Sequence, residues 1–401
     1  MPTLTNRWSV LALVCFARTS FAMQFQSIPP LVPLLRGEMG LNYAQIGTLI
    51  GVYMLAGIVI ALPGGLFGQW AGDKAVMVTG LALMTLGTVG FALAPGYGTA
   101  LAGRLVGGVG AVLLNVQVTK VVSDWFAGRE ISTAMGLLLA TWPLGFALSL
   151  SILGWVGAVW SWRVAIGLTA LFSGLALLPM LLTYRDLPAR GQTAAAPQPR
   201  RRLWQISGTE LLLIVAAGLV WQSGNAGFII FFGFAPDYLA AHGMSPAAAA
   251  SLVSVGTWIL IVATPTGGWL TDRTGRPNLS IVLGTLGSTV AFLMVSLGGW
   301  PVLWIVVFGL INALWPGAVM ALPGQVLSGR ALSTGLGVFF TIYYVSMAGL
   351  PALAGWVQDA TGDPATTLRF AAVLMLGTIG FLALFRRLQG RAARPVPADG
   401  A

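Results

Sequence analysis

The sequence predicts an all-α membrane protein of twelve transmembrane helices in two pseudo-symmetric six-helix bundles. Three observations predict it. First, 57% of the 401 residues are hydrophobic and only 8% charged, with a mean hydropathy of +0.85. A soluble domain carries a charged skin of about a quarter of its residues, and this chain cannot make one. Second, about twelve apolar runs are long enough to cross a hydrocarbon core of about 30 Å, which takes about 20 helical residues. Third, the runs split into two groups of six around one polar, basic stretch. The alternation of a membrane β-barrel is absent. Backbone amides in lipid must find partners within their own segment, so the runs are predicted to be helices.

The elements follow in order. The run 9–35 starts after Trp8, an interfacial anchor, and contains Cys15. It is too long for a signal-peptide core and lacks a small-residue cleavage site, so it is predicted to be a retained helix. Runs 43–66, 75–94, 98–122, 131–158 and 163–183 complete the first group. The stretch from Arg185 to Gln205 holds Pro188, Gly191, Pro197, Pro199 and the arginines 200–202. That composition predicts a flexible linker. Runs 208–238, 246–270, 279–298, 301–324, 332–357 and 367–385 form the second group. The expected domains are therefore residues 1–184, a cytoplasmic linker at 185–207, and residues 208–401. Pro29, Pro30, Pro143, Pro236, Pro316 and Pro351 interrupt helices and predict bends.

The halves repeat each other. Gly40-Leu41-Asn42 opens the second run and Gly243-Met244-Ser245 the eighth, an offset of 243 − 40 = 203. Asn42 and Ser245 are both expected to be N-caps. Pro63-Gly64-Gly65-Leu66 followed by Gly72 matches Pro265, Gly267-Gly268-Trp269 and Gly275. Arg129, Ser132, Thr133 and Gly136 match Arg330, Ser333, Thr334 and Gly337, an offset of 330 − 129 = 201. A duplicated helical unit of this kind points to a transporter.

The net charge of +10 is an orientation signal. Arg7, Lys74, Arg129, the arginines of 185–202, Arg273, Arg276, Arg330 and those of 386–394 share one side of the membrane. Arg36, Arg163 and Arg369 fall on the other. The positive-inside rule then predicts a multi-pass cell-membrane protein with both termini cytoplasmic. The partner of the excess charge is anionic lipid of the bilayer, not nucleic acid. A single cysteine and a single histidine, His242, exclude an intramolecular disulfide, a thiolate cage and a buried histidine metal site. No metal or other cofactor is expected. An enzyme needs a nucleophile, base or metal at depth, and a sensor needs an output domain; the sequence supplies neither. It lacks a Gly-rich Lys-Ser/Thr phosphate loop, so ATP is not expected to drive transport.

Depth selects the candidate site. An ionised group deep in a bilayer costs several kcal/mol and is functional by default. Arg18 lies ten residues after Trp8, roughly 15 Å into the membrane at 1.5 Å per residue. Arg104 is shallower, and Gly107, Gly108, Ala111 and Asn115 share its helix face. All eleven acids fall in or near connectors or helix ends, so the interior is expected to be positive and the cargo anionic or strongly dipolar. Tyr53, Trp142, Trp221 and Gln222, with Asn225 one turn on, are at mid-depth. So are Trp258, Asn312, Trp315, Tyr343 and Tyr344. Trp and Tyr prefer the interface, so this belt predicts a cavity with polar contents. Core packing is the competing reading for each aromatic, and a backbone or glutamine partner the competing reading for Arg18. Lys120 is expected to pair with Asp124 one turn on.

Gly268-Trp269-Leu270-Thr271-Asp272-Arg273-Thr274-Gly275-Arg276 resembles the cytoplasmic loop signature of the major facilitator superfamily. In the equivalent first-half loop Gln69 and Trp70 replace the acid and base, while Asp73-Lys74 supplies charge nearby. Gly103-Arg104-Leu105-Val106-Gly107-Gly108-Val109-Gly110 is similar to the superfamily's helix 4 motif. More narrowly, Asp124-Trp125-Phe126, Ser132-Thr133-Ala134-Met135-Gly136 and Trp142-Pro143-Leu144-Gly145 resemble the cyanate/nitrate-type anion permease branch. Against nitrate itself, helices 2 and 8 carry no arginine within the span. The resemblance implies secondary transport by alternating access in a monomer, with helices 1, 2, 4, 5, 7, 8, 10 and 11 lining the cavity. Asp272, Arg273, Arg276, Asp73 and Lys74 would then gate the cytoplasmic side. The competing expectation is an exporter of amphipathic drugs or organic anions on the same fold.

Overall fold

A computed structural model of the chain describes residues 6–60, 71–127, 130–186, 206–327 and 329–392, with the side chains of 132, 329–334 and 392 outside the described set. Among these residues twelve helices are long and apolar enough to cross a membrane. They are α1 (Arg7–Phe25), α2 (Tyr43–Ile60), α3 (Asp73–Ala92), α4 (Tyr97–Trp125), α5 (Thr133–Val159) and α6 (Trp162–Thr183) in the first half. The second half holds α7 (Gly208–Ala241), α8 (Pro246–Thr274), α9 (Pro277–Ser296), α10 (Pro301–Gln325), α11 (Gly335–Thr361) and α12 (Ala365–Arg391). Twelve crossings return the chain to the side where it began. We call that side the termini face and the other the far face.

Local chemistry sets the helix ends. Asn42 caps α2 in a reciprocal capping box with Gln45, and Ser245 accepts from the backbone N–H of Ala248 to start α8. Both expected N-caps are present. Their preceding glycines repeat as well: Gly40 has φ 65° and Gly243 φ 96°, a left-handed turn that a side chain would resist. The first run is not one helix. It ends at Phe25, passes through a 3-10 turn at Pro29–Leu31, and continues as a short helix at Val32–Met39 that lies on the far face. The prolines supply the reason, since each removes a donor from the ladder. Pro143, Pro236 and Pro351 sit inside helices. α5 also contains a π-turn at Ser149–Leu153.

The halves meet at the far face. α2 lies against α11 so closely that a Cβ on Gly47 would overlap the carbonyl of Pro351, one on Gly51 that of Ala348, and one on Gly355 that of Tyr43. Small residues allow this backbone-to-backbone approach. Asp359 of α11 accepts from the backbone N–H of Tyr43 at 2.9 Å and of Ala44 at 2.8 Å. α5 meets α8 through Ser151, which donates to Ser254 at 2.9 Å and accepts from Trp258 Nε1 at 3.2 Å. Gln26, just past α1, donates to the carbonyl of Phe232 in α7 at 3.0 Å. Every hydrogen bond between the halves among the described residues belongs to this far-face set or, for Trp258, to mid-depth. None of their ion pairs crosses between the halves. Among the described residues the bundles are joined at the far face and make no such polar contact at the termini face.

Candidate functional site

Arg18 sits where α1, α4 and α5 converge on the second half. Its Nε donates to Asn115 Oδ1 at 3.0 Å, and its Nη1 to the carbonyl of Leu138 at 2.5 Å and to Thr141 Oγ1 at 3.1 Å. No acid pairs with it among the described residues. Its Nη2 has no acceptor there either. Tyr343 and Tyr344 of α11 are the groups of the other half within its field, and Asn115 also faces Tyr344. The two tyrosine rings are 5.3 Å apart. Trp221 of α7 continues the aromatic wall, 6.3 Å from Tyr343 and 6.1 Å from Phe339. Its Nε1 is buried without a partner, as is Oε1 of Gln222. Unpaired polar atoms in a buried wall are where a cargo's own donors and acceptors would be rewarded. Trp142 stands beside Arg18's anchor Thr141 and packs on Phe21, Phe25 and Phe146 at 5.1–5.7 Å. Thr141 and the Leu138 carbonyl were not singled out from the sequence. Pro143 marks the bend nearby: it removes the donor that would pair the Leu139 carbonyl, next to the Leu138 carbonyl that Arg18 uses.

Arg104, expected at the substrate site, does not face the other half. It is 3% exposed, and all three of its nitrogens are used. Nε donates to the carbonyl of Leu49 at 2.9 Å, Nη1 to that of Gln24 at 2.7 Å and Nη2 to that of Phe25 at 3.3 Å. The last two lie in the final turn of α1, beyond its own ladder, where the Gln24 carbonyl also accepts from Ser27 Oγ at 2.7 Å, and a cation there complements the helix dipole. The Tyr53 ring lies 4.3 Å from the guanidinium, and the Tyr53 hydroxyl donates to Gln24 Oε1 at 2.7 Å. Gln24 in turn donates to Ser173 at 2.9 Å and to the carbonyl of Thr169 at 3.2 Å. Arg104 and Tyr53 thus belong to a polar knot binding α1, α2, α4 and α6. Replacing Arg104 by Leu removes its charge-assisted hydrogen bonds to the Leu49, Gln24 and Phe25 carbonyls, each worth about 1.5–3 kcal/mol, although the Gln24 carbonyl still accepts from Ser27 Oγ. The expected result is a lower melting temperature of the purified protein with an unchanged KM. A selective change of KM at unchanged melting temperature would return Arg104 to the site.

The other candidates divide. Asn312 accepts from Trp315 Nε1 at 2.8 Å and from Ser288 at 3.2 Å, and Trp315 packs into the second-half core against Gly224 and Gly284. Both are occupied within their own half. Asn225 donates to the carbonyl of Trp221 in its own helix at 2.8 Å. Trp258 is 42% exposed and bridges to Ser151.

The gating residues also divide. Lys120 pairs with Asp124, as expected from their spacing, at 3.1 Å. It also pairs with Asp73 at 2.8 Å, and Gln117 donates to the same carboxylate. Asp73 is therefore neutralised within the first half by Lys120, not by Lys74, whose backbone N–H is taken by Asp186. In the second half Asp272, Arg273 and Arg276 are exposed, and Arg273 stacks over Trp269 at 5.1 Å. None makes an ion pair among the described residues. Gln69, Trp70 and Gly65 of the first-half loop lie outside the described residues.

The family model described as Major Facilitator Superfamily matches residues 14–351. Over 401 residues the chain is 23% identical to the lysosomal dipeptide transporter MFSD1 of Danio rerio, covering 95% of this chain and 87% of that protein. It is 22% identical to the hexuronate transporter of Bacillus subtilis, covering 91% and 89%. Among solved structures it is similar to a bacterial homolog of the human lysosomal transporter Spinster in an inward-facing, unoccupied conformation. That match has TM-score 0.73 and 18% identity over 99% of this chain and 100% of that one. It is also similar to a mutant of the nucleoside transporter NupG, with TM-score 0.77 and 14% identity over 96% and 100%.

Proposed function

The chain belongs to the Major Facilitator Superfamily, and from that premise we propose that its cargo is a small solute bearing a carboxylate or comparable anionic group, held by Arg18. It is a multi-pass membrane transporter, not an enzyme, that moves small solutes by alternating access. One observation carries the proposal. Among the described residues a guanidinium at mid-depth, facing Tyr343 and Tyr344 of the other half, has no acid partner and keeps Nη2 without an acceptor. Guanidinium binds carboxylate strongly through paired N–H donors. A hexuronate and a dipeptide both carry a carboxylate, so the relatives' named cargoes are consistent with that chemistry. They give no specific support to the cyanate/nitrate-type branch, which here rests on sequence motifs alone.

In this reading Asn115, Tyr343, Tyr344, Trp142 and Trp221 orient the rest of the solute, with Gln222 and Asn225 one layer behind. Both termini are cytoplasmic, the halves 1–184 and 208–401 are joined by the linker 185–207, and the protein acts as a monomer in the cell membrane. The described conformation then opens to the cytoplasm, and closure there brings Asp272, Arg273 and Arg276 against the first half. A second reading, export of amphipathic drugs or organic anions, draws on the aromatic wall of Trp221, Tyr343 and Tyr344. Uptake into proteoliposomes decides between them, using a hexuronate, a dipeptide, cyanate, nitrate and a neutral amphipathic drug, each with and without a pH gradient. Saturable uptake of a carboxylate is the expected result. Movement of the neutral drug alone would overturn the carboxylate reading.

A further inference from the structure

The unspent polar atoms around Arg18 are nearly all donors. On the first half, Arg18 keeps Nη2 without an acceptor among the described residues. On the second half, Trp221 Nε1 is buried without a partner, and the Tyr343 hydroxyl has no hydrogen-bond partner among the described residues. Trp221 and Tyr343 are neighbours, with ring centroids 6.3 Å apart, and Tyr343 is within the field of Arg18. The acceptors nearby are taken. Asn115 Oδ1, the Leu138 carbonyl and Thr141 Oγ1 serve Arg18, and the Trp221 carbonyl serves Asn225. Gln222 Oε1 is the acceptor left over.

Among the described residues no carboxylate is free to join them. Glu38 pairs with Arg163, Asp73 and Asp124 with Lys120, Glu130 with Arg7 and Asp363 with Arg369. Asp359 is held by the backbone of Tyr43 and Ala44, Asp186 by that of Lys74 and Glu210 by that of Ser207. Asp272 is exposed at the termini-face end of α8. Asp237 is buried, but it lies 237 − 221 = 16 residues beyond Trp221 in α7, roughly 24 Å along the helix. Asp399 lies outside the described residues.

Resting on the Arg18 reading, we propose that the cargo is an acceptor-rich organic acid without an ammonium group: a sugar acid or hydroxy acid, not a zwitterionic peptide or amino acid. Its carboxylate meets Arg18 on the first half. Its hydroxyl or ring oxygens accept from Tyr343 and Trp221 on the second, and Gln222 Oε1 is there for a hydroxyl proton. Hydroxyls suit this set because each both accepts and donates. An ammonium offers three donors and no acceptor. Here it would be stripped of water beside a guanidinium, with no carboxylate to receive it. An ion the size of cyanate or nitrate satisfies Arg18 alone and leaves the donors of the second half unmet. A cargo that touches both halves is also the one able to draw them together, since a ligand shifts a conformational balance only through its differential affinity for the two states.

The test is a binding matrix on the purified full chain, read by isothermal titration calorimetry. The probes are glucuronate, its methyl ester, dialanine, N-acetyl-dialanine and propionate. Glucuronate and N-acetyl-dialanine are expected to bind, with dialanine at least about 10-fold weaker than its acetylated form. Trp221→Phe keeps an aromatic ring and removes the N–H. It should weaken glucuronate about 2- to 10-fold and leave propionate unchanged, a selectivity that lost packing would not give. Dialanine binding as tightly as its acetylated form would overturn the proposal and leave Arg18 in place. Full glucuronate affinity in Trp221→Phe, or equal losses for glucuronate and propionate, would overturn it too. Binding of the methyl ester as tightly as of the acid would instead overturn the Arg18 reading beneath it. No binding by any of the carboxylates would overturn both.

Discussion

Replacing Arg18 by Gln is expected to abolish saturable uptake of the anionic cargo, the largest functional loss of any single substitution in this chain. A charge-assisted hydrogen bond is worth about 1.5–3 kcal/mol, and Nη2 is the nitrogen left to make it. The predicted fall in apparent affinity is about 10- to 150-fold. Arg18→Lys keeps the charge but loses the planar fork, so it should retain binding at a reduced level. Gln can still donate to Asn115 or Thr141, which keeps the fold intact and separates transport from stability. Uptake and melting temperature are measured together on all three proteins. Full uptake by the Gln variant would remove Arg18 from the mechanism. Equal losses of stability and uptake would make it a scaffold residue.

The second large effect is expected at Gly47. A Cβ there would overlap the Pro351 carbonyl and the backbone of Ala352, and backbone atoms of a packed helix cannot rotate aside. Overpacking of this kind costs about 1–3 kcal/mol. Only the far-face-closed state suffers it, because separation of α2 from α11 relieves it. The conformational balance should shift roughly five- to 150-fold toward far-face opening. Gly47→Ala should therefore trap the transporter open to the far side, with uptake lost and labelling of a far-face cysteine by an impermeant maleimide accelerated. Gly355→Ala, which meets the Tyr43 carbonyl, should behave alike. Gly90→Ala has open space before it and serves as the neutral control. Normal labelling rates in Gly47→Ala would refute the backbone seal.

The fold was legible because the bilayer simplifies the problem. Run length and polarity alone define a spanning helix, and the glycine-led caps at Asn42 and Ser245 repeat with the duplicated unit. Arg18 was legible for the same reason, since a charge amid apolar residues has few innocent explanations. Depth could not say where a side chain points. Arg104 and Arg18 look alike on a sequence, yet Arg104 turns to the end of α1 while Arg18 is held by α4 and α5 beside Tyr343 and Tyr344 of the other half. The difference lies in carbonyls at Gln24 and Phe25, which become available only where α1 stops. The end of α1 was missed because apolar residues continue through Pro29 and Pro30 into the far-face helix.

The knot around Arg104 also bears on how the molecule moves. By fastening the tip of α1 to α2 and α4, with Gln24 reaching α6, it braces the point where α1 breaks off before Pro29. A tilt imposed on α2 at the far side must then be delivered whole to Arg18, as a stiff lever delivers its stroke. Loosening that fastening should leave the cargo grip formed yet poorly geared to the rocking of the two halves.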